Sequence, residues 1–520
     1  MTRVVSSPAQ VVWFKRDLRT HDHLPLSEAC AAGPVLPIYV IEPGLWQEPD
    51  TAQRHWDFIA DGLEDLVDDL ATLGLPLCVL KGEITEVLAS LSAALGPIAL
   101  HSHQETGNAW SFARDRQVAK WCREHGVAWQ QARQQGVVRG LSHRRGWAAQ
   151  REALMQTPVT SPSSASPPAG WEALPCLPRL RWRQQTLGVG RETCPGRQDG
   201  GRSAGLTTWR SFLEGRGERF HRDIASPERA RNAGSRLSPH LAWGTLSLRE
   251  VVQGLRRVRD ERRGEAEWGR ALAALESRLH WHCHFIQKLE TRPDLEHRTL
   301  HPALQGLRVQ AHPERLAAWC EGRTGVPLVD ASMIALRETG WLNFRMRAML
   351  ISFATFGLGL PWREPALHLA RLFVDYEPGI HYPQVQMQAG VTGTNALRVY
   401  NPLKQAAERD PHGRFTTRWL PALARLPDAW RQRPWALPAA QRAELDFVPG
   451  RDYPLPIHDF EAEARHWKHA IHEARRTPEA RRASNDLLER LSSRRGSRRR
   501  SAPPCSPQIS LFLEPDQETP

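Results

Sequence analysis

Short apolar runs alternate with amphipathic stretches over the first quarter of the chain. VVWF at Val11–Phe14, PVLPIYVIEP at Pro34–Pro43, LPLCVL at Leu75–Leu80, PIALHSH at Pro97–His103 and GVAWQQA at Gly126–Ala132 are too short for buried helices and read as strands. Between them, Gln53–Leu73 and Trp110–His125 carry helical periodicity. This βαβ rhythm predicts an α/β N-terminal domain with a doubly wound parallel sheet, over residues 8–140. No GxGxxG follows the first strand, so a nicotinamide dinucleotide is not expected.

The texture then changes. TPVTSPSSASPPAG at Thr157–Gly170 and GVGRETCPGRQDGGRSAG at Gly188–Gly205 are too poor in apolar residues to build a core, and residues 141–205 are expected to be an interdomain connector. From 206 to 476 the pattern is helical, with amphipathic windows at Ala271–Leu289, Pro313–Trp319, Ser332–Phe356 and Phe460–Arg475, which predicts an all-α C-terminal domain. Residues 477–520 are expected to be a basic disordered tail.

Length and composition agree with two cores rather than one: 520 residues at 41% hydrophobic exceed what a single core of about 250–300 residues accommodates. Mean hydropathy of −0.50 and the lack of an apolar run near the roughly 20 residues of a bilayer span predict a soluble chain with no membrane partner. MTRVVSSPAQVVWF has no secretory h-region, so a cytoplasmic location is expected. The eight cysteines form no CxxC pair and are expected to be reduced thiols, with no metal site. The net charge of +12 suggests nucleic acid, but Arg475–Arg500 alone carries ten Arg against Glu479, Asp486 and Glu489. That run is either a phosphate-binding arm or a solvated end, and the body is only mildly basic.

Three strings carry a more specific message: WFKRDLRTHDHLPL from Trp13, TGVPLVDASMIAL at Thr324–Leu336 and GWLNFRMRAMLISF at Gly340–Phe353. In this order they resemble the DNA photolyase/cryptochrome family, with similarity running from about Val11 to Asp459. The resemblance implies FAD folded in a U within the helical domain. A pyrophosphate needs backbone N–H groups and hydroxyl donors at a helix start, and the resemblance assigns it Gly234, Ser235, Arg236, Leu237 and Ser238 of GSRLSPHLAWG. It also places Arg347 and Asp375 as an ion pair beside the flavin ring, Glu377 near its edge and His381 opposite N5, where most relatives carry a smaller side chain. A second, antenna chromophore over the sheet is implied by the family, and no folate- or deazaflavin-contacting set stands out around His103–Gly107.

The family's reaction is electron transfer from excited reduced FAD to a pyrimidine dimer flipped out of the DNA stack. Trp281 corresponds to the stacking aromatic of the lesion pocket and Arg345 to a basic residue after the GW signature. Other pocket positions depart from the pattern: Arg278 stands where dimer photolyases carry an acid, and Phe344, Ala348 and Met387 replace further pocket residues. In the tryptophan relay Trp362 is retained, but Val385 and Val309 replace the flavin-proximal and surface members, so Trp281, Trp319, Trp341, Tyr376 or Tyr382 must be considered instead. The expected function is blue-light repair of UV-damaged DNA; the alternative is a cryptochrome-type photoreceptor without repair. Finally, Gln508, Ile509, Ser510, Leu511 and Phe512 resemble the peptide with which bacterial DNA-processing proteins dock on the sliding clamp, which adds that clamp as an expected partner and the nucleoid as the expected place of work.

Overall fold

A computed structural model describes residues 7–188, 190 and 193–491. Five parallel strands, β1 (Ala9–Phe14), β2 (Val35–Ile41), β3 (Cys78–Lys81), β4 (Ile98–His103) and β5 (Trp129–Ala132), pair in the order β3-β2-β1-β4-β5. Val11 lies between Leu36 and Leu100. The central strand is buried along its whole length because both faces are covered: Val12 and Phe14 pack with Trp56, Leu63 and Leu66, whereas Val11 and Trp13 pack with Leu88, Leu91 and Val118. That two-sided burial is why these strands read as continuous apolar runs rather than alternating ones.

The expected connector is more structured than its composition suggests. Helix Trp147–Gln156 belongs to the helical core, where Trp147 and Met155 are fully buried with Val251, Leu255 and Leu275. The segment that follows is a strap along the α/β domain. Val35 N donates to Ser166 O, Ala165 N to Leu73 O and Leu177 N to Val79 O, while Trp56 Nε1 donates to Trp182 O. Backbone hydrogen bonds to edges already in place let a Pro/Ser-rich chain order without a core of its own. A disulfide joins Cys78 in β3 to Cys176 in the strap, which corrects the expectation that all cysteines are free thiols; Cys30, Cys122, Cys194 and Cys283 form no disulfide, and Cys505 lies outside the described residues. The spacing between the two half-cystines, 98 residues, contains no local signal that they meet.

The C-terminal domain is helical. The window Ser332–Phe356 is not one helix: Pro327–Thr339 ends at Gly340, whose φ of 66° only glycine adopts readily, and a new helix runs Phe344–Ser352. Helix Pro478–Leu491 corrects the start of the expected disordered tail. Its Leu487 and Leu491 pack on Leu289, Leu295 and Leu300, and His301 Nε2 donates to Ala480 O, so an amphipathic face is buried although the segment is rich in arginine. Among the described residues no helix is long and apolar enough to cross a membrane.

The two domains dock directly. Arg54 donates to Leu372 O and His55 Nε2 to Phe373 O, so the α/β domain grips the backbone at the head of the FVDYE segment, while Trp243 Nε1, from the helical domain itself, donates to Val374 O. A Cβ on Gly244 would sit 2.2 Å from Arg16 O, which makes glycine obligatory at this approach.

Candidate functional site

A cavity of about 310 Å³ opens into the helical domain. Gly234, Ser235, Arg236, Leu237, Ser238, Arg347, Asp375, Glu377 and His381 all line it, together with Trp281. Arg345 and Trp362 do not. The Arg345 guanidinium lies 5.8 Å over the Tyr400 ring, and Trp362 packs, half-buried, at the start of helix Arg363–Leu372.

Gly234–Ser238 is a turn rather than a capped helix start. The short helix begins at Ser238, Arg236 has φ 61°, and the carbonyls of Gly234 and Ser235 accept from Arg216. Among the described residues the hydroxyls of Ser235 and Ser238 have no hydrogen-bond partner, which leaves both available at the cavity wall. The Arg236 guanidinium stacks 4.0 Å over Trp341, and burial lowers its pKa to about 10, so it remains a cation at neutral pH.

On the same cavity Arg347, from helix Phe344–Ser352, donates to both oxygens of Asp375 at 3.0 and 2.7 Å and through Nε to Leu342 O. Its guanidinium lies 4.0 Å over the Phe373 ring. Glu377 caps helix Pro378–Gln388 by accepting from Gly379 N and faces Arg16 at 3.6 Å; burial raises its pKa. A Cβ on Gly379 would come within 2.8 Å of Ile286 Cα, so glycine lets this helix close on helix Ala266–Thr291. His381 donates from Nε2 to Ala366 O at 2.9 Å, and burial pulls its pKa down to about 4. It is therefore neutral at pH 7, with Nδ1 an acceptor.

Helix Ala266–Thr291 supplies the third wall. Leu275, Arg278, Leu279, Trp281, His282 and Phe285 repeat at helical spacing, and Trp281 stacks on Phe285 with centroids 5.5 Å apart. Arg278 donates to Ala274 O and lies 5.1 Å from the Phe220 ring. Sequence reasoning missed Phe220, Ile224, His282 and Asn343 as lining residues. Asn343 Oδ1 is buried without a hydrogen-bond partner, although its amide donates to Ile224 O and Ala225 O. An orphaned acceptor, two unengaged hydroxyls, a guanidinium that reaches the cavity and a mostly apolar lining that includes seven aromatic rings fit a large, flat, partly anionic cofactor such as FAD.

A smaller crevice of about 60 Å³ lies at the carboxyl edge of the sheet, between the domains, where open α/β sheets take ligands. Here it is crossed by ion pairs: Arg114 reaches Glu42 at 3.1 Å, Glu105 at 2.7 Å and Asp115 at 2.9 Å. Burial holds Glu42 at a pKa of about 7. As it stands the crevice does not fit a second chromophore, since these charges would have to be displaced together.

Comparison with known proteins agrees with this geometry. The sequence model described as the FAD binding domain of DNA photolyase matches residues 275–473, and the one described as DNA photolyase matches residues 10–144. The chain is 30% identical to the deoxyribodipyrimidine photo-lyase of Streptomyces griseus, over 88% of this chain and 97% of that one, and 27% identical to the cryptochrome DASH of Natronomonas pharaonis, over 87% and 98%. The fold matches a bacterial class III photolyase from Agrobacterium tumefaciens with TM-score 0.80 at 22% identity, over 92% of this chain and all of that one. It also matches an archaeal photolyase from Sulfolobus tokodaii with two FAD molecules, with TM-score 0.70 at 24% identity, over 89% of this chain and all of that one. The chain belongs to the DNA photolyase/cryptochrome family. Its helical domain is that family's FAD-binding domain.

Proposed function

We propose that the protein is a blue-light-driven repair enzyme that splits pyrimidine dimers in UV-damaged DNA. The observation that carries this reading is the meeting of three walls in one cavity: the Arg347–Asp375 pair, the Gly234–Ser238 turn and the aromatic face of Trp281 and Phe285. FAD bound there supplies, when reduced and excited by blue light, the electron that opens the cyclobutane ring. The Arg347 guanidinium compensates negative charge on the ring in a water-poor site, and Asp375 keeps that guanidinium from turning away. Ser235 and Ser238 donate to the pyrophosphate. Neutral His381 offers Nδ1 as an acceptor beside the ring without adding charge. Trp281 stacks on the extruded bases, and the apolar lining excludes water while they are held.

A second reading, a photoreceptor without repair, is favoured by one observation: Arg278 puts a half-buried cation on the wall where the family resemblance leads one to expect an acid in dimer photolyases. The two are separated by irradiating the fully reduced protein with dimer-containing single-stranded DNA. Light-dependent loss of dimers supports the repair reading; no loss at saturating protein moves the assignment to the photoreceptor.

The repair reading also gives the tail a role. Gln508, Ile509, Ser510, Leu511 and Phe512 lie outside the described residues. Their match to a clamp-docking peptide supports a tether to the sliding clamp, with the neighbouring arginines adding salt-sensitive contact to DNA in the nucleoid.

A further inference from the structure

Electron supply to the cavity is left unexplained by the residues described above. Val385 lines the wall where the first relay aromatic is expected, and Val309 is 77% exposed; an aliphatic side chain cannot be oxidised in a relay. Trp341, which does line the cavity, lies under the Arg236 guanidinium, whose charge opposes formation of a radical cation on the indole.

Tyr376 is differently placed. It lines the flavin-type cavity and the interdomain crevice at once. Its hydroxyl donates to Asp50 Oδ2 at 2.5 Å, and the Tyr382 hydroxyl donates to the same oxygen at 3.1 Å. Asp50 is 1% exposed and also accepts from Asn108 at 3.2 Å. The two tyrosine rings lie 6.5 Å apart, and the His381 ring meets them edge-on at 5.3 and 5.4 Å. Two phenols converging on one buried carboxylate oxygen form a donor pair with a built-in proton acceptor, because an oxidised phenol is strongly acidic and its electron returns at once unless the proton leaves with it.

We propose that Tyr376, backed by Tyr382 and deprotonated by Asp50, is the internal electron donor that reduces the photoexcited cofactor in this cavity. One electron leaves the Tyr376 ring for the excited oxidised flavin. The phenolic O–H bond breaks and the proton bonds to Asp50 Oδ2. The neutral tyrosyl radical that remains can pass to Tyr382 when an electron moves from Tyr382 to Tyr376 and Asp50 Oδ2 returns its proton to Tyr376, taking the phenolic proton of Tyr382 in exchange. A low-molecular-weight thiolate in solution then returns the electron, the proton moves back from Asp50, and the resulting thiyl radicals combine to a disulfide. The inference rests on the flavin reading of the cavity and is independent of the lesion reading, because it needs no DNA.

The test is blue-light photoreduction of the purified holoprotein with excess thiol and no DNA, followed by flavin absorbance, with the radical trapped by freezing under illumination and identified by paramagnetic resonance. Wild-type protein is expected to give a tyrosyl signal and to photoreduce severalfold more slowly in deuterated water. Tyr376→Phe should lose the signal and slow photoreduction at least tenfold; Asp50→Asn should slow it comparably, and Tyr382→Phe should shorten the radical's lifetime. A tryptophanyl signal, no solvent isotope effect, or wild-type photoreduction in Tyr376→Phe would overturn the proposal. The wild-type spectrum and isotope effect decide it even where a variant does not fold. Failure to repair dimers leaves these readouts intact, whereas a purified protein that neither contains nor takes up flavin overturns the cavity reading and this one with it.

Discussion

Arg347 and Asp375 share two parallel hydrogen bonds but not the same environment: the Asp375 side chain is 1% exposed and that of Arg347 is 24% exposed, so the carboxylate anchors and the guanidinium faces the cavity. Asp375→Ala strands the guanidinium, and breaking a buried pair costs about 3–5 kcal/mol. The variant is expected to lose bound flavin on purification and to melt earlier; Asp375→Asn, which keeps one acceptor, should lose less. Flavin-to-protein absorbance ratio and Tm check both. Full flavin retention in the alanine variant would remove this pair from the cofactor site.

Trp281 contributes a stacking face, not a charge. Trp281→Ala should weaken binding of dimer-containing single-stranded DNA by about 1–3 kcal/mol while leaving flavin content unchanged. Fluorescence anisotropy against undamaged DNA of the same sequence separates the lesion term from phosphate contacts. An equal loss for both DNAs would place the tryptophan outside the lesion pocket.

Acid should destabilise the fold before the carboxylates titrate. His55 accepts from Ala52 N and donates to Phe373 O, and burial pulls its pKa to about 3; His240, fully buried against the Phe58 ring, is pulled to about 4. Below the ordinary histidine value near 6.5 the unfolded chain binds protons that the folded chain refuses, so stability falls as pH drops from about 6.5 towards 4, by on the order of 3 kcal/mol per ring. Urea midpoints across that window should decline steeply, and His55→Gln should start lower at pH 7 but decline less. A flat profile in the wild type would mean that these rings are protonated in the fold.

The tail makes a separate prediction. A peptide spanning Ser501–Pro520 should bind purified bacterial sliding clamp at roughly micromolar Kd, on the order of −8 kcal/mol, and the same peptide with Leu511 and Phe512 replaced by alanine should not. Equal binding by both peptides, or by neither, would leave the tail without this partner.

By itself the sequence determined the two-domain plan and, through the strings that resemble a family, named residues that meet in one cavity. The five strands were legible because a two-sided sheet demands unbroken apolar runs such as VVWF, whereas the residues expected at a cofactor, such as Arg347 in FRMR and Glu377 in FVDYEPG, were singled out only because their strings resemble those of a known family. Local pattern also misled: the arginine-rich helix Pro478–Leu491 hides an apolar face that only Leu289, Leu295 and Leu300 complete. What the tertiary structure alone decided are the pairings across long stretches of chain: Cys78 with Cys176, the Pro/Ser-rich strap on the sheet edge, Arg278 against Phe220, and Tyr376 with Asp50, 326 positions apart. Periodicity reports which face of an element is buried, but not which distant group it meets there. Asp50 sits in an unremarkable loop sequence, and only the docking of the two domains brings its carboxylate to the two phenols.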